Sequence, residues 1–160
     1  TSLAKVGRSE DAVVHLQHLL SLAPKHAKTH GLVGTIYNGL GRYGEARHHL
    51  EAAAFLTPGE TGHMNNYAWF LATCSDAEQR DGALAVKTAM RVCVLSGHKD
   101  PGLLDTLACA QAECGDFGEA LATLDHALSL AEGHAQLTQI IQERIADFRQ
   151  GRPYRDKAGQ

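Results

Sequence analysis

Between His30 and Pro58, in "HGLVGTIYNGLGRYGEARHHLEAAAFLTP", apolar residues recur at helical spacing although glycine interrupts them at 31, 34, 39, 41 and 44 and again at 59. The same three-and-four spacing marks most of the chain. In "HAQLTQIIQERIADFRQGRPYRD", Leu137, Ile140, Ile141, Ile145 and Phe148 form one apolar stripe on an otherwise polar helix. The pattern predicts helices over approximately 1–6, 9–22, 27–40, 43–56, 61–73, 81–96, 101–114, 117–131 and 134–150, and no strand.

A fixed period underlies these segments. Gly7 and Gly41 lie 34 residues apart, as do Ala12 and Ala46, Leu16 and Leu50, and Pro24 and Pro58. Self-similarity of this length marks stacked helical repeats. It also assigns work to two of the glycines. Gly34 sits where two helices approach too closely for a side chain. Gly41 ends the first helix in a left-handed conformation that glycine adopts cheaply. Gly31, Gly39 and Gly44 have no place in the pattern and read as a cost or a bare surface.

The run His30-x2-Val33-Gly34-x2-Tyr37, then Ala46-x3-Leu50, Ala53 and Pro58, resembles the tetratricopeptide repeat, a 34-residue helix–turn–helix unit. His30 stands in for the usual tryptophan and Leu50 for the usual second-helix aromatic. The unit returns in "DPGLLDTLACAQAECGDFGEALATLDHALSLA", where Gly115, Phe117, Ala120, Leu124 and Ala127 match Gly41, Tyr43, Ala46, Leu50 and Ala53. Asp100-Pro101 reads as a helix start, and Asp116 with Glu119 has capping-box spacing. Between these units, "HMNNYAWFLATC" and "DGALAVKTAMRVCVLSG" form a pair separated by an insertion near 75–81. The resemblance implies an all-α fold, a right-handed superhelical α-solenoid. The expected array covers 1–132 with a partial first repeat, followed by a C-terminal capping helix over 133–150 and a tail over 151–160.

Composition narrows the function. Hydrophobic residues make up 44% of the chain and charged residues 21%, with a formal net charge of −3. Such a chain can bury a core, and it lacks the basic excess of a nucleic-acid binder. No apolar run approaches the roughly 20 residues needed to cross a bilayer. The opening "TSLAKVGRSED" has no signal-peptide centre and reads as the end of a helix from a longer protein. Cys74, Cys93, Cys109 and Cys114 lack CxxC spacing and read as buried free thiols, a Cys74–Cys93 bridge being the less favoured alternative.

A narrower resemblance rests on "NNYAWFLATCSDAEQRDGALAV", "DTLACAQAECGDFGEAL" and "FRQGRPYRD". It is to the C-terminal repeat arrays of large bacterial multidomain proteins, among them sulfatase-like hydrolases and glycosyltransferase-like proteins. Arrays of this family bind extended peptides or helices in a concave groove lined by the first helix of each repeat. Carried over, the groove positions are Lys28, Gly31, Thr35 and Asn38, then Asn65, Asn66, Trp69 and Thr73, then Asp105, Cys109 and Glu113. The carboxylate clamp of chaperone-binding relatives is not expected, because Gly31, Thr35, Gly102 and Thr106 replace its residues and only Asn66 survives.

Each candidate has two readings. Trp69 is a partner anchor or, preferred, a packing residue between first helices. Asn65 and Asn66 hold a partner's backbone or bond neighbouring turns. Asp105 with Thr106 faces a basic or polar partner or, preferred, bonds Asn65 or Asn66. The ten histidines include His15 with His18 and His48 with His49, near His26 and His30. They fall short of a zinc or nickel site without a third ligand and read as solvated faces. Arg144, Arg149, Arg152, Arg155 and Lys157 make the tail basic, for solvent or for docking on an acidic surface. No nucleophile elbow or phosphate loop occurs.

The expectation is therefore a non-enzymatic interaction or scaffold module without metal or cofactor. Its groove contacts are expected to be Asn38, Asn65, Asn66, Trp69 and Asp105, and its partner a peptide or protein. The alternative is an accessory or oligomerisation domain of a larger bacterial enzyme, its partner being the rest of its own chain or a second copy. Neither nucleic acid nor membrane insertion is expected.

Overall fold

The computed structural model describes the backbone of residues 2–157 and the side chains of 7–157. Of the helix expected over 1–6, Thr1 lies outside the described residues, as do 158–160 of the expected tail. Among the described residues the fold is all-α, with eight helices and one turn of 3-10 helix. The helices are α1 (Ser2–Leu22), α2 (Ala27–Gly39), α3 (Tyr43–Leu56), α4 (Thr61–Thr73), α5 (Gly82–Leu95), α6 (Pro101–Glu113), α7 (Phe117–Leu130) and α8 (Ala135–Phe148).

One boundary differs from the pattern. The expected break near Gly7 is absent, and α1 runs unbroken through it. Gly7 meets no atom within 4 Å of where a Cβ would lie, so nothing there demands glycine. A single glycine costs a helix only about 1 kcal/mol, too little to end one that its neighbours continue. The 34-residue match at Gly7 is thus a match of residue type and not of conformation.

The other two glycine assignments hold. Gly41 has φ 72°, and its counterpart Gly115 has φ 84°. A Cβ on Gly34 would lie 2.7 Å from Leu50 Cγ and 3.0 Å from the Leu50 backbone nitrogen. Helices α2 and α3 therefore touch through a bare backbone. Gly31, given no role by the pattern, is buried and faces the His63 ring.

Helix starts follow local chemistry. Asp100 accepts from the amides of Gly102 and Leu103 with Pro101 at the first helical position, and Asp81 accepts from Leu84. The expected capping bond at Asp116 is not formed, although Asp116 does occupy the N-cap. The Cys74–Asp81 connection carries the 3-10 turn Ala77–Gln79, and Arg80 ties it down by donating to the Cys74 carbonyl at 2.7 Å.

Each helix packs on the next in the chain. In addition, α2 packs on α4, α4 on α6 and α6 on α8. These four make an inner row, with α3, α5 and α7 behind it. The contacts between layers are small: Ala46, Ala68, Ala85, Ala108, Ala120 and Ala127 are all fully buried. Larger side chains, among them Leu71, Leu124, Ile141 and Phe148, fill the space between pairs. The Phe117 and Phe148 rings meet edge to face at 6.1 Å, joining α8 to the start of α7.

Candidate site on the inner row

Several of the expected groove residues of α4 and α6, among them Trp69, Asp105 and Glu113, are covered rather than open to solvent. Gly151, with φ 67°, turns the chain after α8, and a segment without regular secondary structure then runs back to the ends of α4 and α6. Its residue Asp156 donates its amide to the Thr73 carbonyl at 2.8 Å and accepts from Ser75 Oγ at 2.6 Å through its own carbonyl. Trp69 Nε1 donates to Asp156 Oδ2 at 3.3 Å. The Tyr154 and Trp69 rings lie 5.6 Å apart, and the Arg144 guanidinium sits 3.7 Å above the Tyr154 ring centre. Arg155 pairs with Glu113 at 2.7 Å, and the other oxygen of that carboxylate holds Arg80 at 2.8 Å.

Beneath this segment, Arg144 Nε lies 2.7 Å and 3.0 Å from the two oxygens of Asp105. Both residues are buried. Burial raises the Asp105 carboxyl above the ordinary carboxylate range, and the guanidinium opposes that rise by charge and hydrogen bond. The pairing replaces the expected bonds from Asp105 to Asn65 or Asn66. The hydroxyl of Thr106 turns back to the Gly102 carbonyl instead. Burial drives the Cys109 thiol well above its usual value, with Asp105 adding to the effect. Among the described residues Cys74, Cys93 and Cys109 are buried free thiols, while Cys114, expected to be buried as well, is exposed at the end of α6. There the helix has ended, and the side chain meets the start of α5 at Gly82, where a Cβ would lie 2.9 Å from Cys114 Sγ.

The remaining candidates adjoin a cavity of about 390 Å³ between α2 and α4. Thr35, Asn38, Asn66, Trp69 and Phe70 line it, and Asp156 closes one side. Asn66 is exposed and Asn38 half-buried. Asn65 Oδ1 is enclosed and has no hydrogen-bond partner. The structure thus brings Asn38, Asn66 and Trp69 to one cavity and commits Asp105 to an internal ion pair.

The sequence grouped Arg144 with the basic tail, for solvent or for docking, whereas it is buried, and a signal for that was present. Arg144 follows Ile141 by three residues and precedes Ile145 and Phe148, so a charge lies on the buried stripe of α8. Such a charge requires a buried partner. Of the basic residues of the tail, read as solvated or as docking on an acidic surface, Arg155 pairs with Glu113 and Arg152 with Asp147 of the same chain.

His30, His48 and His49 form a ring cluster between α2 and α3. His30 Nδ1 lies 3.0 Å from His49 Nδ1, and His30 Nε2 lies 3.1 Å from the Pro24 carbonyl. A carbonyl only accepts, so the bonding assigns the His30 proton to Nε2 and makes His49 Nδ1 the donor between the rings. Burial, then His30 and His48, pushes His49 down to about 4. No group of three or more metal-ligating side chains occurs among the described residues. Among them, too, no helix is long and apolar enough to cross a membrane.

No family model matches the chain, and no curated protein matches it.

Proposed function

We propose that the chain is a non-enzymatic interaction module, a right-handed superhelical stack of tetratricopeptide-type repeats closed by α8. Its inner row forms a groove that holds an extended segment of a peptide or protein partner. One observation carries this reading. The tail already lies on α4 and α6 as a segment without regular secondary structure, held through main-chain atoms of Asp156, and a cavity lined by the exposed Asn66 and the half-buried Asn38 adjoins it. Main-chain bonds of this kind serve any extended chain, while Trp69, Asn38 and Asn66 offer an aromatic face and paired donors and acceptors.

Selection of peptides from a random display library on the full chain tests this. Peptides whose binding falls at least about tenfold in an Asn38→Ala, Asn66→Ala variant support it. Peptides that bind that variant unchanged, or the absence of any binder, contradict it.

A second reading, an accessory or oligomerisation domain of a larger bacterial enzyme, is favoured by α1. Val14, Leu19 and Leu22 are 64%, 51% and 72% exposed on it, an apolar surface suited to another protein. Light scattering of the Leu19→Glu, Leu22→Glu variant against the unaltered chain tests it: loss of an oligomer supports it, and two identical monomers contradict it.

A further inference from the structure

The contacts of the tail are specific at three successive residues. The Tyr154 ring lies 5.6 Å from the Trp69 ring, and the Arg144 guanidinium caps both, 3.7 Å from the Tyr154 ring centre and 5.1 Å from that of Trp69. Arg155 answers Glu113, and Asp156 accepts from the indole N–H of Trp69. Aromatic, basic and acidic side chains thus meet an aromatic–cation pair, a carboxylate and an N–H donor in that order. The main-chain bonds at Asp156 fix the register of all three.

The holding groups come from four places in the chain: Trp69 on α4, Ser75 in the following connection, Glu113 at the end of α6 and Arg144 on α8. Glu113 is held in turn by Arg80, and Arg144 by Asp105. The receiving side is therefore ordered by bonds that do not involve the tail. The tail itself is half-buried at Tyr154, Arg155 and Asp156, and its ion pair retains water contact, Arg155 being 34% exposed. With these three residues only half-buried, a peptide of the same chemistry competes for the same bonds.

We propose that Tyr154–Asp156 is a resident ligand held in cis. The site on α4 and α6 recognises an extended peptide carrying an aromatic residue, then arginine, then an acidic residue, and the tail gates that site until such a peptide displaces it. This rests on the groove reading above and adds the chemistry of the partner and the means of its regulation.

The probe is a fluorescein-labelled peptide of sequence Gly-Arg-Pro-Tyr-Arg-Asp. It is titrated against the full wild-type chain and a full-length Tyr154→Ala, Arg155→Ala variant. The expected result is at least about tenfold tighter binding to the variant, with none for a peptide whose Tyr and Arg are both Ala. Equal binding to the two proteins, or no binding to the variant, overturns the proposal. Should circular dichroism show that the double variant has lost helix, Arg155→Glu takes its place, since it sets like charges at Glu113 and lifts the tail without touching the core. Trp69 emission that changes on simple dilution of the wild type would place a second copy's tail in the site and would equally overturn occupancy in cis.

Failure of the gate and failure of the groove are separable. Library-selected peptides that depend on Asn38 and Asn66 but bind wild type and tail variant equally leave the groove standing and remove the gate. The absence of such peptides for both proteins removes the groove.

Discussion

Arg144 on α8 grips both carboxylate oxygens of Asp105 on α6, at 2.7 Å and 3.0 Å, across 39 residues of sequence. Both are buried, and the same guanidinium stacks on Tyr154. One residue of α8 therefore binds both α6 and the tail.

Removing one member of this pair leaves the other buried and unpaired. Asp105→Ala and Arg144→Ala are each expected to lower stability by about 3–5 kcal/mol. An Asp105→Leu, Arg144→Met double variant should lose less than either, because no orphan charge remains. Urea denaturation of the three variants measures this. A double variant whose loss equals the sum of the singles would show that the two side chains do not interact.

The glycines divide by their surroundings. Gly34→Ala forces a methyl group against Leu50 and its backbone and should cost about 1–3 kcal/mol. Gly41→Ala places a side chain at φ 72° and should cost about 1–2 kcal/mol. Gly7→Ala lies in the middle of α1 with open space around it and should gain up to about 1 kcal/mol. Thermal melts compare all three, and destabilisation by Gly7→Ala would restore the helix break that the repeat pattern implied.

Stability should respond to pH through His49. Its folded-state value of about 4 lies below the ordinary 6.5. The unfolded chain therefore binds the proton more readily, and the contribution of this ring is complete above pH 6.5. It is lost as pH falls from there through about 4. The ring keeps some contact with water, so the expected loss is about 1–2 kcal/mol. Denaturation midpoints across that range should flatten in His49→Gln. An unchanged slope would place the titration elsewhere.

These cases also show what a single sequence can and cannot carry. Gly41, the Asp100 cap and the apolar stripe of α8 act within one or two helical turns, so their spacing alone reveals them. Gly34 was legible because the period placed it opposite Leu50. Gly7 misled because residue type repeats more readily than backbone conformation. The site was only partly legible. Asn38, Asn66 and Trp69 follow from repeat position, but Arg144 and the tail reach α4 and α6 from far along the chain. No period marks where an irregular segment will turn back.

Trp69 is the only tryptophan in the chain, so indole fluorescence reports on the centre of the site alone. The most direct measurement is acrylamide quenching of that signal in the wild type and in the Tyr154→Ala, Arg155→Ala variant, with helicity monitored alongside. If the tail is seated on Trp69, the variant's emission moves to the red and its quenching constant rises about twofold or more as the ring face is uncovered. Identical emission and identical quenching in two equally helical proteins would mean that nothing rests on Trp69, and the account of an occupied peptide site would fail.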